Sequence, residues 1–243
     1  MVASPQLPSE IIQGAVILID KPIEWTSFDI IRKIKSTIRH SLGEKKVKVG
    51  HAGTLDPLAS GLLIICTGAK TREIESFQNQ HKEYTGIFHV GATTPSGDLE
   101  TMPDKFFPVD QITEKLILET SKTFIGEICQ VPPLFSAKKI DGKRAYEHAR
   151  KGDDITLAAK KIHIYDFEIT KIHLPEISFR VVCSKGTYIR SLATDFGAAL
   201  NSGAYLKELR RTKIGEYNVS SAMSPEAFGQ LMYLNNKTSS GNL

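Results

Sequence analysis

Asp56 is the residue of this chain whose neighbours best equip it for chemistry. It lies in Val49-Gly50-His51-Ala52-Gly53-Thr54-Leu55-Asp56-Pro57-Leu58-Ala59-Ser60-Gly61-Leu62-Leu63, a tight loop between two glycines, and Pro57 restricts the aspartate before it to extended backbone. Gly53 and Gly61 leave room for a ligand to approach the main chain closely. A carboxylate held in this way can be a nucleophile, a general base or a metal ligand, or it can cap its own loop in an Asx-turn. The loop glycines have neither the Gly-x-x-x-x-Gly-Lys-Ser/Thr spacing of a phosphate loop nor the Gly-x-Gly-x-x-Gly spacing of a dinucleotide site, which argues against nucleotide hydrolysis and hydride transfer. A Gly-x-Ser-x-Gly nucleophile is absent. His51 and Asp56 supply two candidate metal ligands, too few to close a site.

The elements that must hold this loop follow from apolar periodicity. The β-branched run Gly14 to Asp20, closed by Lys21-Pro22, predicts a buried strand, and Leu62 to Cys66 predicts another. Between them Thr26 and Ser27 can cap a helix whose Ile30, Ile31, Ile34 and Ile38 share one face, while Arg32, Lys33, Lys35 and Arg39 occupy others. From Lys82 to Val90 a half-buried strand sets Tyr84, Gly86, Phe88 and Val90 on one side. A helix from Asp110 to Ser121 with Asp110 as its cap, a strand from Ile125 to Gln130 and a hairpin of 162–172 with 177–184 come next. A helix starting near Thr187, a short helical turn over Tyr205 to Arg210, a strand from Thr212 to Tyr217 and a helix opening at Ser224-Pro225-Glu226 complete the ordered chain, with a frayed tail from Asn235. Strands and helices do not alternate as in a parallel sheet. The expected fold is α+β: one domain over residues 1–243, with a mixed, mainly antiparallel sheet flanked by helices.

Composition limits the partners. With 243 residues, 41% of them hydrophobic, the chain can bury a sizeable core. No apolar run is long enough to span a membrane, and the widely spaced Cys66, Cys129 and Cys183 show no zinc spacing, so a reduced, cytoplasmic setting is expected. A net charge of +4 is only mildly basic. The clusters Arg32-Lys33-x-Lys35, Lys45-Lys46-x-Lys48, Lys138-Lys139, Lys143-Arg144, Arg150-Lys151, Lys160-Lys161 and Arg210-Arg211-x-Lys213 favour a polyanion such as RNA over plain solvated charge.

Four separated motifs in a fixed order then carry a resemblance. Gly50 to Gly61, Lys82-Glu83-Tyr84, Cys183 to Arg190 and Leu209-Arg210-Arg211-Thr212 closely resemble the TruB family of tRNA pseudouridine synthases, and so do Asp20-Lys21-Pro22, Gln130-Val131-Pro132-Pro133 and Ala145 to Arg150. The resemblance implies isomerisation of the uridine at position 55 of tRNA, in the T loop, without cofactor or metal. It implies that Asp56 is the catalytic carboxylate. Addition at C6 of the base, attack at C1′ and removal of a proton from C2′ are all within its chemistry. By the same resemblance Tyr84 stacks on the flipped base, Arg190 pairs with Asp56, and His51 contacts the RNA as the base leaves its stack. Lys21 and Pro22 line the pocket, while Tyr188 and Leu209 form its aromatic and apolar walls. Residues 130–153 resemble a thumb that closes on the T stem-loop, its basic clusters meeting phosphates.

The sequence also departs from the family pattern. About 26 residues follow Tyr217, too few for the PUA domain of many relatives, so the expectation is a form without it. Thr94 stands where an acid is common and Phe135 where a tyrosine is frequent, although Asp98 is retained. A monomer without an obligate protein partner is expected. An RNA-folding chaperone is a second reading, and a guide-dependent synthase a third that the expected lack of a PUA domain disfavours.

Overall fold

The computed structural model describes residues 8–44, 46–135, 139–140, 143–144 and 157–240. In chain order the elements are α1 (Pro8–Gln13), β1 (Val16–Lys21), α2 (Ser27–Leu42), β2 (Val49–His51), β3 (Ala59–Thr67), α3 (Ile74–Asn79), β4 (Lys82–Val90), β5 (Ala92–Thr93), β6 (Lys105–Phe106), α4 (Glu114–Thr123), β7 (Gly126–Gln130), β8 (Lys139–Ile140) and β9 (Lys143–Arg144). After these come β10 (Lys160–His173), β11 (Glu176–Cys183), α5 (Ile189–Ala199), β12 (Ala204–Ile214), β13 (Tyr217–Asn218) and α6 (Pro225–Ser240). They group into two compact units, residues 1–82 with 210–243, and residues 83–209. No helix among the described residues is long and apolar enough to cross a membrane.

In the first unit β1 and β3 pair antiparallel from Val16 opposite Cys66 to Lys21 opposite Gly61, and β2 pairs with the far end of β3. These strands read as unbroken apolar runs because both of their faces are covered. Ile17, Ile19, Leu63 and Ile65 pack with Ile30, Ile34 and Ile38 of α2 and with Phe228 and Met232 of α6. Leu18, Leu62, Ile64 and Cys66 face the other way, onto Phe77 and Ile214. The cap of α2 is the expected Thr26: its Oγ accepts from the Asp29 amide while the Asp29 carboxylate accepts from the Thr26 amide, a reciprocal capping box. Gly43, with φ 68°, ends the helix in the left-handed conformation.

In the second unit β4, β11, β10 and β7 lie side by side, with the first half of β12 beside β4. Ile177, Phe179, Val181 and Cys183 alternate inward along β11 as expected. On β10 the register shifts between Ile164 and Asp166, so the inward series runs Ile162, Ile164, Phe167. That bulge breaks a strict period of two. The rings of Phe88, Phe167, Phe179 and Phe196 pack together, with Phe88 and Phe179 stacked at 4.1 Å between centroids.

Three expectations are corrected. Residues 205–210 are not a helical turn: β12 runs without a break from Ala204 to Ile214, because Ala204, Tyr205 and Leu206 are all buried and extended pairing satisfies their backbone. The cap of α4 is Thr113, whose hydroxyl accepts from the Leu116 amide, and not Asp110. The last helix continues through Ser240, beyond the expected start of a tail at Asn235, because no Gly or Pro interrupts it between buried Met232 and Ser240. Of the expected thumb over 130–153, β8 and β9 form a two-stranded antiparallel ribbon. Apart from this ribbon and residues 130–135, the thumb lies outside the described residues, and with it the Ala145 to Arg150 motif.

Candidate active site

The loop bearing Asp56 connects β2 to β3, and its backbone is fixed carbonyl by carbonyl. Arg211, 1% exposed, donates from Nη2 to the Gly53 oxygen at 3.1 Å, from Nη1 to the Thr54 oxygen at 3.4 Å and from Nε to the Leu62 oxygen at 2.8 Å. Ser27, the first residue of α2, brackets Leu55: its Oγ donates to the Leu55 oxygen at 3.1 Å and accepts from the Leu55 amide at 2.9 Å. The Asp56 oxygen accepts from the Ala59 amide at 3.1 Å. The Pro57 oxygen accepts from the Glu24 amide at 2.8 Å and from Lys21 Nζ at 3.4 Å. Every carbonyl from Gly53 to Pro57 therefore has a donor, while the Asp56 side chain is half-buried. A loop tied down in this way holds its carboxylate in one place before any ligand arrives.

The two glycines serve this arrangement. Gly53 has φ 102° and Gly61 φ 106°, and a Cβ on Gly61 would sit 2.3 Å from the Arg211 carbonyl oxygen. Only glycine lets β3 come this close to β12, and that approach sets Arg211 beneath the loop. Its neighbour Arg210 points the opposite way along the strand, to Asp20 at 2.6 Å and Ser60 at 3.3 Å. The expected basic cluster Arg210-Arg211-x-Lys213 is thus divided by strand alternation. Arg211 is the site residue that sequence reasoning missed, since adjacent arginines give no sign of which one is buried.

Lys21, fully buried, donates to the Pro22 oxygen at 2.9 Å and the Trp25 oxygen at 2.6 Å as well as to Pro57. Burial brings its pKa down to about 8, with the Asp56 carboxylate opposing that shift and Arg211 adding to it. Lys21 is thus an electrostatic neighbour of Asp56. His51, half-buried at the end of β2, has its pKa lowered chiefly by burial and next by the charge of Arg211, so the neutral imidazole is favoured. Pro22 is partly exposed beside Lys21. Among the described residues no three His, Cys, Asp or Glu side chains gather to hold a metal ion.

Tyr84, Tyr188, Arg190 and Leu209 belong to the second unit. Tyr84 is buried on β4. Tyr188 is the N-cap residue of α5, and the side chain of buried Gln130 clasps its backbone, accepting from the Tyr188 amide at 2.8 Å and donating to the Tyr188 oxygen at 3.1 Å. The Gln130-Val131 segment is also tied by Ser191, whose hydroxyl donates to the Val131 oxygen at 2.7 Å. The base of the expected thumb is therefore anchored on α5. Arg190 is 4% exposed; its Nε lies 3.6 Å from the Asp98 carboxylate and its Nη1 donates to the Ser96 oxygen at 3.2 Å. Asp98, kept in a loop that otherwise departs from the family pattern, forms a parallel bridge with Leu206 of β12. Leu209 is half-buried on the same strand.

The mainly antiparallel α+β scaffold is that of the pseudouridine synthase catalytic fold. The structure resembles a chain of a Cbf5-Nop10-Gar1 complex at TM-score 0.69 and 28% identity, over 97% of this chain and 61% of that one. It also resembles a chain of an H/ACA ribonucleoprotein bound to a substrate RNA containing 2′-deoxyuridine, at TM-score 0.68 and 26% identity, over 98% and 62%. The chain thus spans about three-fifths of the length of these two structures. The model of the TruB family pseudouridylate synthase N-terminal domain matches residues 39–189, and that of the tRNA pseudouridylate synthase B C-terminal domain matches 190–242. The tRNA pseudouridine synthase B of Flavobacterium johnsoniae is 59% identical over 222 residues, covering 91% of this chain and 97% of that protein. That of Phocaeicola vulgatus is 54% identical over 216 residues, 89% and 92% of the two. The chain belongs to the TruB family of tRNA pseudouridine synthases, which are isomerases.

Proposed function

We propose that the protein converts the uridine at position 55 of tRNA, in the T loop, to pseudouridine, with Asp56 as its catalytic carboxylate. The observation that carries this reading is the donor supplied to every carbonyl from Gly53 to Pro57, which spends the loop's hydrogen bonds on fixing Asp56. The reaction suits one fixed carboxylate. The N1–C1′ bond breaks, a C5–C1′ bond forms, the proton on C5 departs and N1 gains one; substrate and product have the same formula, and no co-reactant is consumed. The target base must leave its stack, which costs a few kcal/mol and calls for a pocket with a stacking wall and polar contacts.

In this reading Tyr84 stacks on the flipped base and Tyr188 and Leu209 wall the pocket. Arg190, steadied by Asp98 and Ser96, pairs with the catalytic carboxylate, and Lys21 and Pro22 border it. His51 meets the RNA as a neutral group. The high identity to tRNA pseudouridine synthases B over nearly the whole of both chains supports tRNA as the substrate. Against the H/ACA ribonucleoprotein and Cbf5 complexes identity is only 26–28%, and we take the protein to act as a cytoplasmic monomer with no cofactor and no obligate protein partner. The test is incubation of the purified protein with an unmodified T-arm minihelix in buffer without cofactor, followed by pseudouridine mapping. Wild type modifies the T-loop uridine and Asp56→Asn does not; full activity of Asp56→Asn would refute the assignment.

A further inference from the structure

The exposed side of α2 and the chain after it carry charge for which the Asp56 loop has no use. Arg32, Lys35 and Arg39 recur at i, i+3 and i+7, so they form one stripe about 10 Å long. They line a groove of about 370 Å³ that also takes in Glu44 and Val47. An adjoining depression of about 350 Å³ shares Glu44 and Val47 and adds Lys46, Lys48 and Arg72.

The cations are poorly answered. Asp29 pairs with Arg32, and Glu44 is the one acid lining either depression. Among the described residues Lys35, Arg39, Lys46, Lys48 and Arg72 have no carboxylate within ion-pair distance. On α4, by contrast, Lys115 meets Glu119 four residues on.

The near end of the stripe adjoins the Asp56 loop. Phe28, 64% exposed in the first turn of α2, has the Arg32 guanidinium 5.6 Å from its ring centroid. The residue before it is Ser27, which brackets Leu55. An exposed ring followed by a row of cations matches what a nucleic-acid strand offers, a base face and then phosphates.

We propose that this face of the first unit, from Phe28 along Lys35 and Arg39 to Lys46, Lys48 and Arg72, binds the sugar-phosphate backbone of the substrate tRNA beside the modified loop. The proposal rests on tRNA being the substrate. The test is the binding of an unmodified tRNA transcript across a salt series, followed by fluorescence anisotropy. It compares wild type, Lys35→Gln with Arg39→Gln, Lys46→Gln with Lys48→Gln, all four together, and the control pair Lys115→Gln with Lys122→Gln. The combined variant is expected to bind about tenfold or more weakly near 0.1 M salt, with the slope of log K against log salt smaller by about 3. Its loss of turnover should fall on KM, each pair should show about half the slope change, and the control should match wild type. Phe28→Ala should weaken binding and leave the slope alone. An unchanged slope in the four-site variant, or in both pairs if that variant does not fold, overturns the proposal, and so does an equal loss in the control. A wild type that forms no pseudouridine in tRNA overturns the substrate reading instead.

Discussion

The Asp56 carboxylate depends on Arg211. A buried guanidinium is tolerable only when its N–H groups find acceptors, and here the carbonyls of Gly53, Thr54 and Leu62 supply them. One side chain thereby ties both ends of the loop to β12. Arg211→Lys keeps the charge and loses the fork, so a single ammonium cannot reach all three oxygens. The expected outcome is a fall in kcat on the order of 10²-fold with little change in tRNA affinity, since a displacement near 1 Å is enough for such a loss; single-turnover assays beside equilibrium binding check it. Asp56 was legible in the sequence because glycines and a proline constrain it within a motif. Arg211 was not, because its inward direction is set by the register of β12, which is a matter of pairing and not of composition.

Among the elements, α2 supports the site most directly, since its first residue holds Leu55 and its cap sets where the helix begins. Thr26→Ala removes an acceptor for the Asp29 amide and the hydroxyl that steadies the Asp29 carboxylate. The expected cost is about 1 kcal/mol, read from the urea midpoint. A further consequence can be measured at low pH. Hydrogen bonds from Thr26, then Arg32, hold the Asp29 carboxyl near 2, below its usual 3.8, so its contribution to stability is complete above pH 3.8 and is lost as pH falls through about 2. The gap between the acid-unfolding curves of wild type and Thr26→Ala should therefore narrow in that window to the part contributed by the Asp29 amide bond. Both α2 and the β1–β3 pair could be read in advance because helical spacing and continuous apolar runs each have a simple cause. β12 was misread: Tyr205, Leu206 and Leu209 also fit a helical turn, and only the strand beside it decides that the segment is extended.

For the whole molecule, the second unit rests on an aromatic core whose centre is Phe88, with Phe179, Phe196 and Phe167 around it at 4.1, 5.6 and 6.2 Å between centroids. Phe88→Ala should cost about 3–5 kcal/mol, a large share of the roughly 5–15 kcal/mol of a typical domain, and lower the melting temperature seen by calorimetry well below that of Thr26→Ala. The core rings come from β4, β10, β11 and α5, and no local pattern announces that they meet. By itself the sequence determined the α+β class, the order of most elements and the family, and it singled out Asp56 as the candidate carboxylate, because periodicity and short motifs are local properties of the chain. The tertiary structure decided which of two adjacent arginines lies under the loop, that Ser27 and Lys21 hold its carbonyls, and that the cations of α2 and those after it line two depressions that share Glu44 and Val47. Those outcomes depend on which distant segments become neighbours, and a register shift of one residue would reverse the direction of every side chain on β12.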